Sequence, residues 1–298
     1  MNRTVLVTGS AGLIGRQVVK DLLENGFYVY SCYNAEKPEF GVAMHLDITK
    51  KDEVTNIMHT TKPDVVIHLA AMTNVDLCED QKDTATLINT KSTEFLALEA
   101  IKQNSFFIYM STDYVFDGKK GMRKETDIPY PLNFYGKTKL DGENILKKLT
   151  IPHAIIRTST PFGIHPKKTS FPSWVKESLE SNRQIPVLVD QFTSPTFVPN
   201  LSKMMIEIAK KQITGTIHLA GATRISRYEF AKKIAESLGL DKTLLKPTKI
   251  KEINWKARRP EDSSLDVSKA NETLDNKPEP IEHGLEIFIK QIRNIDDL

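Results

Sequence analysis

The sequence predicts a doubly wound α/β fold, a parallel sheet covered by helices with a smaller lobe at one edge, and three observations carry that prediction. Short β-rich runs alternate with longer helical patterns through the first half of the chain, the order that a parallel sheet with crossover helices demands. A glycine-spaced turn, Thr8-Gly9-Ser10-Ala11-Gly12-Leu13-Ile14-Gly15, joins the first strand to the first helix. After residue 158 the alternation weakens, which divides the chain into 1–158 and a smaller α/β lobe, 159–298, partly interleaved with the first part.

Each element follows from local pattern. Thr4 to Thr8 is β-branched and apolar, a buried first strand. Leu13 to Asn25 carries Ile14, Val18, Val19, Leu22 and Leu23 at helical spacing, and Gly26 ends it. Phe27 to Tyr33 and Val42 to Leu46 read as strands two and three, the latter closed by Asp47. Pro63-Asp64 breaks the chain ahead of a fourth strand, Val65 to Ala70. A long helix is expected over about Glu79 to Asn104, then a fifth strand over Phe106 to Met110. Gly118, Gly121, Pro129 and Pro131 make residues 112 to 134 a loop. A helix from Tyr135 to Leu149 and a sixth strand from His153 to Arg157 complete this half. In the lobe, helices are expected over Ser173–Ser181, Asn200–Lys210 and Ser226–Leu238, with Pro-containing segments such as Ser194 to Pro199 between them. The lobe should cover the carboxyl edge of the sheet.

Composition narrows the function. The chain has 298 residues, 41 Lys+Arg against 38 Asp+Glu, and a formal net charge of +3. That balance, with the basic residues scattered, argues against nucleic acid or an anionic membrane as partner. Lys119-Lys120 and Lys167-Lys168 read as solvated loop charges. No apolar run approaches the ~20 residues of a membrane span, and Val5-Leu6-Val7 begins a strand where a signal peptide would need its apolar core. Cys32 and Cys78 form no disulfide framework and lack metal-ligand spacing, so no metal site is expected. A cytoplasmic location follows by default.

The glycine turn is the first chemical signal. Following a strand and opening a helix, Gly9, Gly12 and Gly15 let the backbone turn tightly and approach a dinucleotide pyrophosphate at the helix amino terminus. A P-loop is a poor fit, because Gly15 is followed by Arg16-Gln17 and not by Lys-[Ser/Thr]. The second signal is Tyr135 with Lys139. Four apart on a helix, they share one face, and a phenol beside an ammonium and a nicotinamide is a proton donor for carbonyl reduction. Moving a phenol from pKa ~10 to ~7 takes about 4 kcal/mol, roughly what a unit charge at ~4 Å supplies at an effective dielectric of ~20. Ser111 and Thr112, at the carboxyl edge of the sheet, join them as candidates. His68 should pack in or beside the sheet without a catalytic role. Asp47 is open between contacting an adenine amino group and capping a helix.

Together, Thr8-Gly9-x-x-Gly12-x-x-Gly15, His68-Leu69-Ala70-Ala71 and Tyr135-x-x-x-Lys139 resemble the extended short-chain dehydrogenase/reductases, which have a Rossmann-like fold. Within that group the chain is similar to the dTDP-4-dehydrorhamnose reductases. The resemblance rests on Ala70 to Asp76, Ser111 to Gly118, Pro131 to Lys139, Asp190 to Thr196, Arg259-Pro260 and Leu265-Asp266, and covers essentially the whole chain. It implies hydride transfer from a reduced nicotinamide to the C4 keto carbon of a nucleotide-linked 6-deoxyhexose, with dTDP-L-rhamnose as product. Thr112, Tyr135 and Lys139 would be catalytic. The cofactor would lie on Gly9, Ser10, Ala11, Gly12, Leu13, Ile14, Gly15, Asp47, Ile48, Leu69, Ala70, Ala71 and Thr73, with Tyr135 and Lys139. Val75, Thr112, Asp113, Tyr114 and Thr160 would face the substrate. Asn89 stands where the wider family has a helix-bending Asn near the catalytic lysine.

Two departures qualify the match. Where those reductases commonly read Arg-Thr-Ser-Trp, this chain reads Arg157-Thr158-Ser159-Thr160, which leaves the hexose open. Strand two ends Ser31-Cys32-Tyr33-Asn34 without the acid that would bind ribose hydroxyls, with Glu36 and Lys37 just beyond it and Arg16 and Lys37 expected near the ribose. NADP(H) is therefore the expected cofactor, with NAD(H) also accepted. Epimerases share the glycine loop and the Tyr-Lys pair. Dehydratases carry Thr-Asp-Glu, where this chain has Thr112-Asp113-Tyr114. A non-catalytic alternative is a subunit resembling the regulatory beta subunit of methionine adenosyltransferase, whose Asp-Tyr-Val-Phe-Asp-Gly run is matched by Asp113 to Gly118. The expected partner is a nucleotide sugar, and a homodimer is allowed.

Overall fold

The computed structural model describes residues 3–296. Its centre is a seven-stranded, wholly parallel sheet. The strands are β1 (Thr4–Thr8), β2 (Tyr28–Tyr33), β3 (Val42–His45), β4 (Val65–His68), β5 (Phe106–Thr112), β6 (His153–Thr158) and, after four short strands, β11 (Gly215–His218). Across the sheet they run β11-β6-β5-β4-β1-β2-β3. The winding direction reverses between β1 and β4, the switch point where a doubly wound sheet opens a crevice at its carboxyl ends.

Alternate residues of each strand face opposite helical layers. Val5, Val7, Val65, Ile67 and Ile108 pack against α1 (Leu13–Glu24) and, later in the chain, α8 (Val198–Lys211). Leu6, Val66, Phe107 and Ile155 pack on the other side against α2 (Lys51–Thr61), α5 (Ser92–Gln103) and α6 (Phe134–Lys148).

Helix α2 is not among the sequence expectations. Its Lys-Asp-Glu start and three threonines hide a narrow apolar stripe, of which Val54 and Met58 are fully buried. The expected single helix over 79–104 is instead α3 (Val75–Asp80), α4 (Lys82–Thr86), a π-turn (Leu87–Lys91) and α5. It begins earlier because the Asn74 side chain caps Leu77 N.

Residues beyond 158 do not stay apart from the sheet. Strand β11 adds to the free side of β6, and α8 covers α1. Helix α10 (Ser268–Thr273) packs on β11 and the same core as α8, and the remainder forms the lobe over the carboxyl edge: β7 (Pro161–Phe162), α7 (Phe171–Glu180), β8 (Ile185–Leu188), β9 (Phe192–Thr193), β10 (Thr196–Phe197), β12 (Ile225–Ser226), α9 (Arg227–Leu238), β13 (Leu245–Thr248) and α11 (Ile281–Asp296). Phe162, Phe230 and Phe288 centre its core, ring on ring. Among the described residues no helix is long and apolar enough to cross a membrane, and no cluster of His, Cys, Asp or Glu could hold a metal ion.

Candidate active site

At the switch point, β1 ends in a turn that only glycine permits. Gly9 has φ +68°, and a Cβ there would lie 2.7 Å from Ala70 N. A Cβ on Gly15 would fall 2.2 Å from the Gly9 carbonyl oxygen. Gly12 caps α1 with no side-chain partner, so the first N–H groups of the helix remain open to an anion. The turn thus fits a pyrophosphate. Ser10 steadies the turn from behind, where its Oγ donates to Cys32 O at 2.8 Å and ties it to β2.

The turn opens into a cleft of about 750 Å³. Of the residues expected at the site, it brings together Gly9, Ala11, Gly12, Leu13, Ile14, Gly15, Asp47, Ile48, Leu69, Ala70, Ala71, Thr73, Thr112, Asp113, Tyr135, Lys139 and Thr160. Ser10, Val75 and Tyr114 are not on its wall. Val75 opens α3, and the Tyr114 ring meets Tyr135 edge-on, with centroids 6.2 Å apart. Strand β4 stops at His68, which leaves Leu69 and Ala70 free to line the cleft. Asp47 caps the turn into α2, its Oδ1 accepting from Thr49 N at 3.0 Å and Thr49 Oγ1 at 2.7 Å.

Tyr135 and Lys139 stand on the first turns of α6, which is capped by Asn133 accepting from Gly136 N at 2.8 Å. Thr112, the last residue of β5, hydrogen-bonds the Tyr135 phenol and donates to Asp113 Oδ1 at 3.0 Å. Burial pushes the phenol above its ordinary pKa, against the weaker pull of Thr112. Burial likewise brings the Lys139 ammonium down to about 7, against the attraction of Glu143. Its Nζ lies 4.1 Å from the Tyr109 ring centroid. The expected lowering of the phenol by Lys139 is therefore overturned: desolvation acts first on both groups, and Tyr135 keeps its proton at neutral pH.

A buried brace holds this helix. Arg157 Nε and Nη2 donate to the two oxygens of Glu143 at 2.9 and 2.7 Å, and Ser111 Oγ donates to one of them at 2.7 Å. Burial alone would raise the Glu143 carboxyl, but Arg157 and Ser111 outweigh it and keep it ionised. Asn89, fully buried in the π-turn, accepts from Met72 N at 2.8 Å and donates to Thr138 Oγ1 at 3.0 Å. It pins α6 to the loop after β4. His68, between Thr8 and Thr93, is driven by burial to about 3 and stays neutral.

On the lobe side, hydroxyls run from the cleft inward. Thr160 Oγ1 and Thr193 Oγ1 are 2.5 Å apart, Thr193 meets Ser159 Oγ at 2.7 Å, and Ser159 donates to Asp113 Oδ2 at 2.7 Å. Thr160 holds φ +42°. Arg227, absent from the sequence expectations, brings its charge to Asp113 and Tyr114, and burial lowers its pKa. Nothing in its local sequence marks it, since the lobe fold alone carries it there.

At the end of β2 the expected cations are elsewhere. Neither Arg16 nor Lys37 lines the cleft; Arg16 is paired with Glu39 at 2.6 Å. Asn34, Ala35 and Glu36 line it instead, facing Lys168 and Thr169 from the lobe.

A family model described as the RmlD substrate binding domain matches residues 3–294. The chain belongs to this family. It is 35% identical over 296 residues to a dTDP-4-dehydrorhamnose reductase of Aggregatibacter actinomycetemcomitans, covering 94% of this chain and 96% of that protein. It is also 35% identical over 281 residues to methionine adenosyltransferase 2 subunit beta of Pongo abelii, covering 92% of this chain and 83% of that one. Among solved structures, a Bacillus anthracis dTDP-4-dehydrorhamnose reductase in complex with NADP superposes with a TM-score of 0.89 at 29% identity, over 98% of this chain and 100% of that one. The resemblance to the extended short-chain dehydrogenase/reductases, and the Rossmann-like architecture it implies, are thereby established.

Proposed function

We propose that this RmlD-family chain is an NADP(H)-dependent reductase of the C4 keto group of a nucleotide-linked 4-keto-6-deoxyhexose, with dTDP-4-dehydrorhamnose as substrate. NADP(H) is preferred and NAD(H) accepted. The supporting observation is the meeting of Tyr135, Lys139 and Thr112 in one cleft with the glycine turn, at the carboxyl ends of β1, β4 and β5. A reduced nicotinamide bound there supplies the hydride. Thr112 orients the substrate carbonyl, and Tyr135 gives its phenolic proton to the carbonyl oxygen as that oxygen gains charge. A raised phenol pKa does not prevent this, because an alkoxide, like hydroxide, holds a proton more tightly than a phenolate does. Lys139 holds the nicotinamide ribose beside Tyr135. Thr112 and Asp113 steady the keto sugar, and Thr160 faces it where a tryptophan would otherwise pack.

The near-equal likeness to methionine adenosyltransferase subunit beta supports a second reading, a dinucleotide-binding regulatory subunit without turnover. One experiment separates them. The purified chain is offered a panel of nucleotide-linked 4-keto sugars with NADPH, following loss of the reduced-nicotinamide absorbance. Turnover of a dTDP sugar supports the reductase. Inertness towards the whole panel, with stoichiometric capture of a methionine adenosyltransferase catalytic subunit, would replace it by the regulator.

A further inference from the structure

The loop between β7 and α7 crosses the cleft opposite the end of β2, and it is held there by one histidine. His165 Nδ1 lies 3.0 Å from both Lys167 N and Lys168 N, so it accepts from both. Its proton must then sit on Nε2, which donates to Ala11 O, within the glycine turn, at 3.1 Å. The loop is thus fastened to the phosphate-binding turn. The two lysines that follow His165 reach to the end of β2, where Lys167 Nζ lies 3.0 Å and Lys168 Nζ 3.8 Å from the Glu36 carboxylate.

We propose that Lys167 and Lys168 form a 2′-phosphate recognition site that selects the phosphorylated dinucleotide. This rests on the reductase reading above. In a doubly wound fold the residues just after strand two meet the adenosine ribose, and an acid with free lone pairs there accepts the 2′-hydroxyl. Glu36 stands at that place on the cleft wall, but its carboxylate is already engaged by two ammonium groups. Two cations against one anion leave a positive excess, and Arg16 is spent on Glu39. A 2′-phosphate carries about −1.5 to −2 charge near neutral pH and three acceptor oxygens. Both lysine side chains are mostly exposed, at 68% and 54%, so they can turn from Glu36 to a phosphate without breaking packing. Lys168 holds Glu36 more loosely and lines the cleft, so it is the first to move.

The test is equilibrium binding by the full-length chain, read by nicotinamide fluorescence with NADPH and NADH and by competition with adenosine 2′,5′-bisphosphate and 5′-AMP. Lys167→Gln with Lys168→Gln is expected to weaken NADPH and the bisphosphate by about 30-fold, the scale of losing charge-assisted contacts, and to leave NADH and 5′-AMP unchanged. Glu36→Gln should tighten NADPH several-fold and leave NADH unchanged. Equal weakening of NADPH and NADH in the lysine variant, or no change in either, overturns the assignment while the reductase reading stands. Weakened NADH binding by Glu36→Gln also overturns it, since Glu36 would then be the hydroxyl acceptor. A wild-type chain that binds neither dinucleotide overturns both.

Discussion

Replacing Glu143 by Gln removes one charge from a pair that water does not reach. Arg157 is 1% exposed and Glu143 fully buried, and two hydrogen bonds of 2.9 and 2.7 Å join them. Stripping one partner from such a pair strands the other and costs about 3–5 kcal/mol. The lower end applies here, because the Arg157 guanidinium also lies 5.0 Å from the Phe116 ring centroid, and a cation over a desolvated ring recovers part of the loss. About 3 kcal/mol is roughly a hundredfold in the folding constant. Denaturant titration should show a lower midpoint with an unchanged slope. The catalytic helix should also report it: Glu143 raises the Lys139 pKa, so its loss should move that group further below about 7. Glu143→Leu with Arg157→Met should recover most of the stability, since a buried pair is worth little over apolar packing. A cost under about 1 kcal/mol for Glu143→Gln, or a double variant as unstable as the single, would refute the brace.

Three further outcomes are expected. Tyr135→Phe should lower turnover by about 10²–10⁴ with unchanged NADPH binding, because only the proton donor goes; steady-state kinetics showing wild-type turnover would remove Tyr135 from the reaction. Gly15→Ala should weaken NADPH at least ~10-fold with an unchanged circular dichroism spectrum, because its Cβ would meet Gly9 O at 2.2 Å and the turn must open; unchanged affinity in titration would refute the cradle. His68 has a folded pKa of about 3 against 6.5 unfolded. The unfolded chain therefore binds the extra proton, and stability falls as pH drops from 6.5 towards 3, by about 2 kcal/mol between pH 8 and 5. His68→Gln should flatten that part of the stability curve, and an unchanged pH slope would show that the imidazole is not held neutral.

What the sequence revealed was whatever local pattern encodes. Fully apolar strands such as Phe106 to Met110, the glycine turn, and the Tyr135–Lys139 spacing each carry their signal within a few residues. Helix α2 was hidden because its buried stripe is thin, and β11 because four residues in a Gly-Thr-Ile-His run look like any loop until β6 lies beside them. The Arg157–Glu143 pair and the Lys167–Glu36 contact leave no trace in local sequence. Each joins residues from separate elements, and only the folded backbone sets their distance. Lys167-Lys168 read as solvated charges for that reason. The phenol's pKa is not legible in the sequence, because the dehydration of Tyr135 and Lys139 comes from the folded surroundings and outweighs the charge between them.

Because β11 comes late in the chain, the protein passes through an exposed stage as it is made. A ribosome releases residues 1–158 with β6 as an open sheet margin, unpaired N–H and C=O groups along one side, and the apolar face of α1 still waiting for α8. Unpaired margins of this kind recruit other chains. The nascent chain must pass this interval before α8 and then residues 215–218 emerge to close the margin. A gene truncated anywhere between the end of β6 and the end of β11 should therefore yield aggregate and not a smaller soluble domain, and slow codons in that interval should lower the yield of the whole protein.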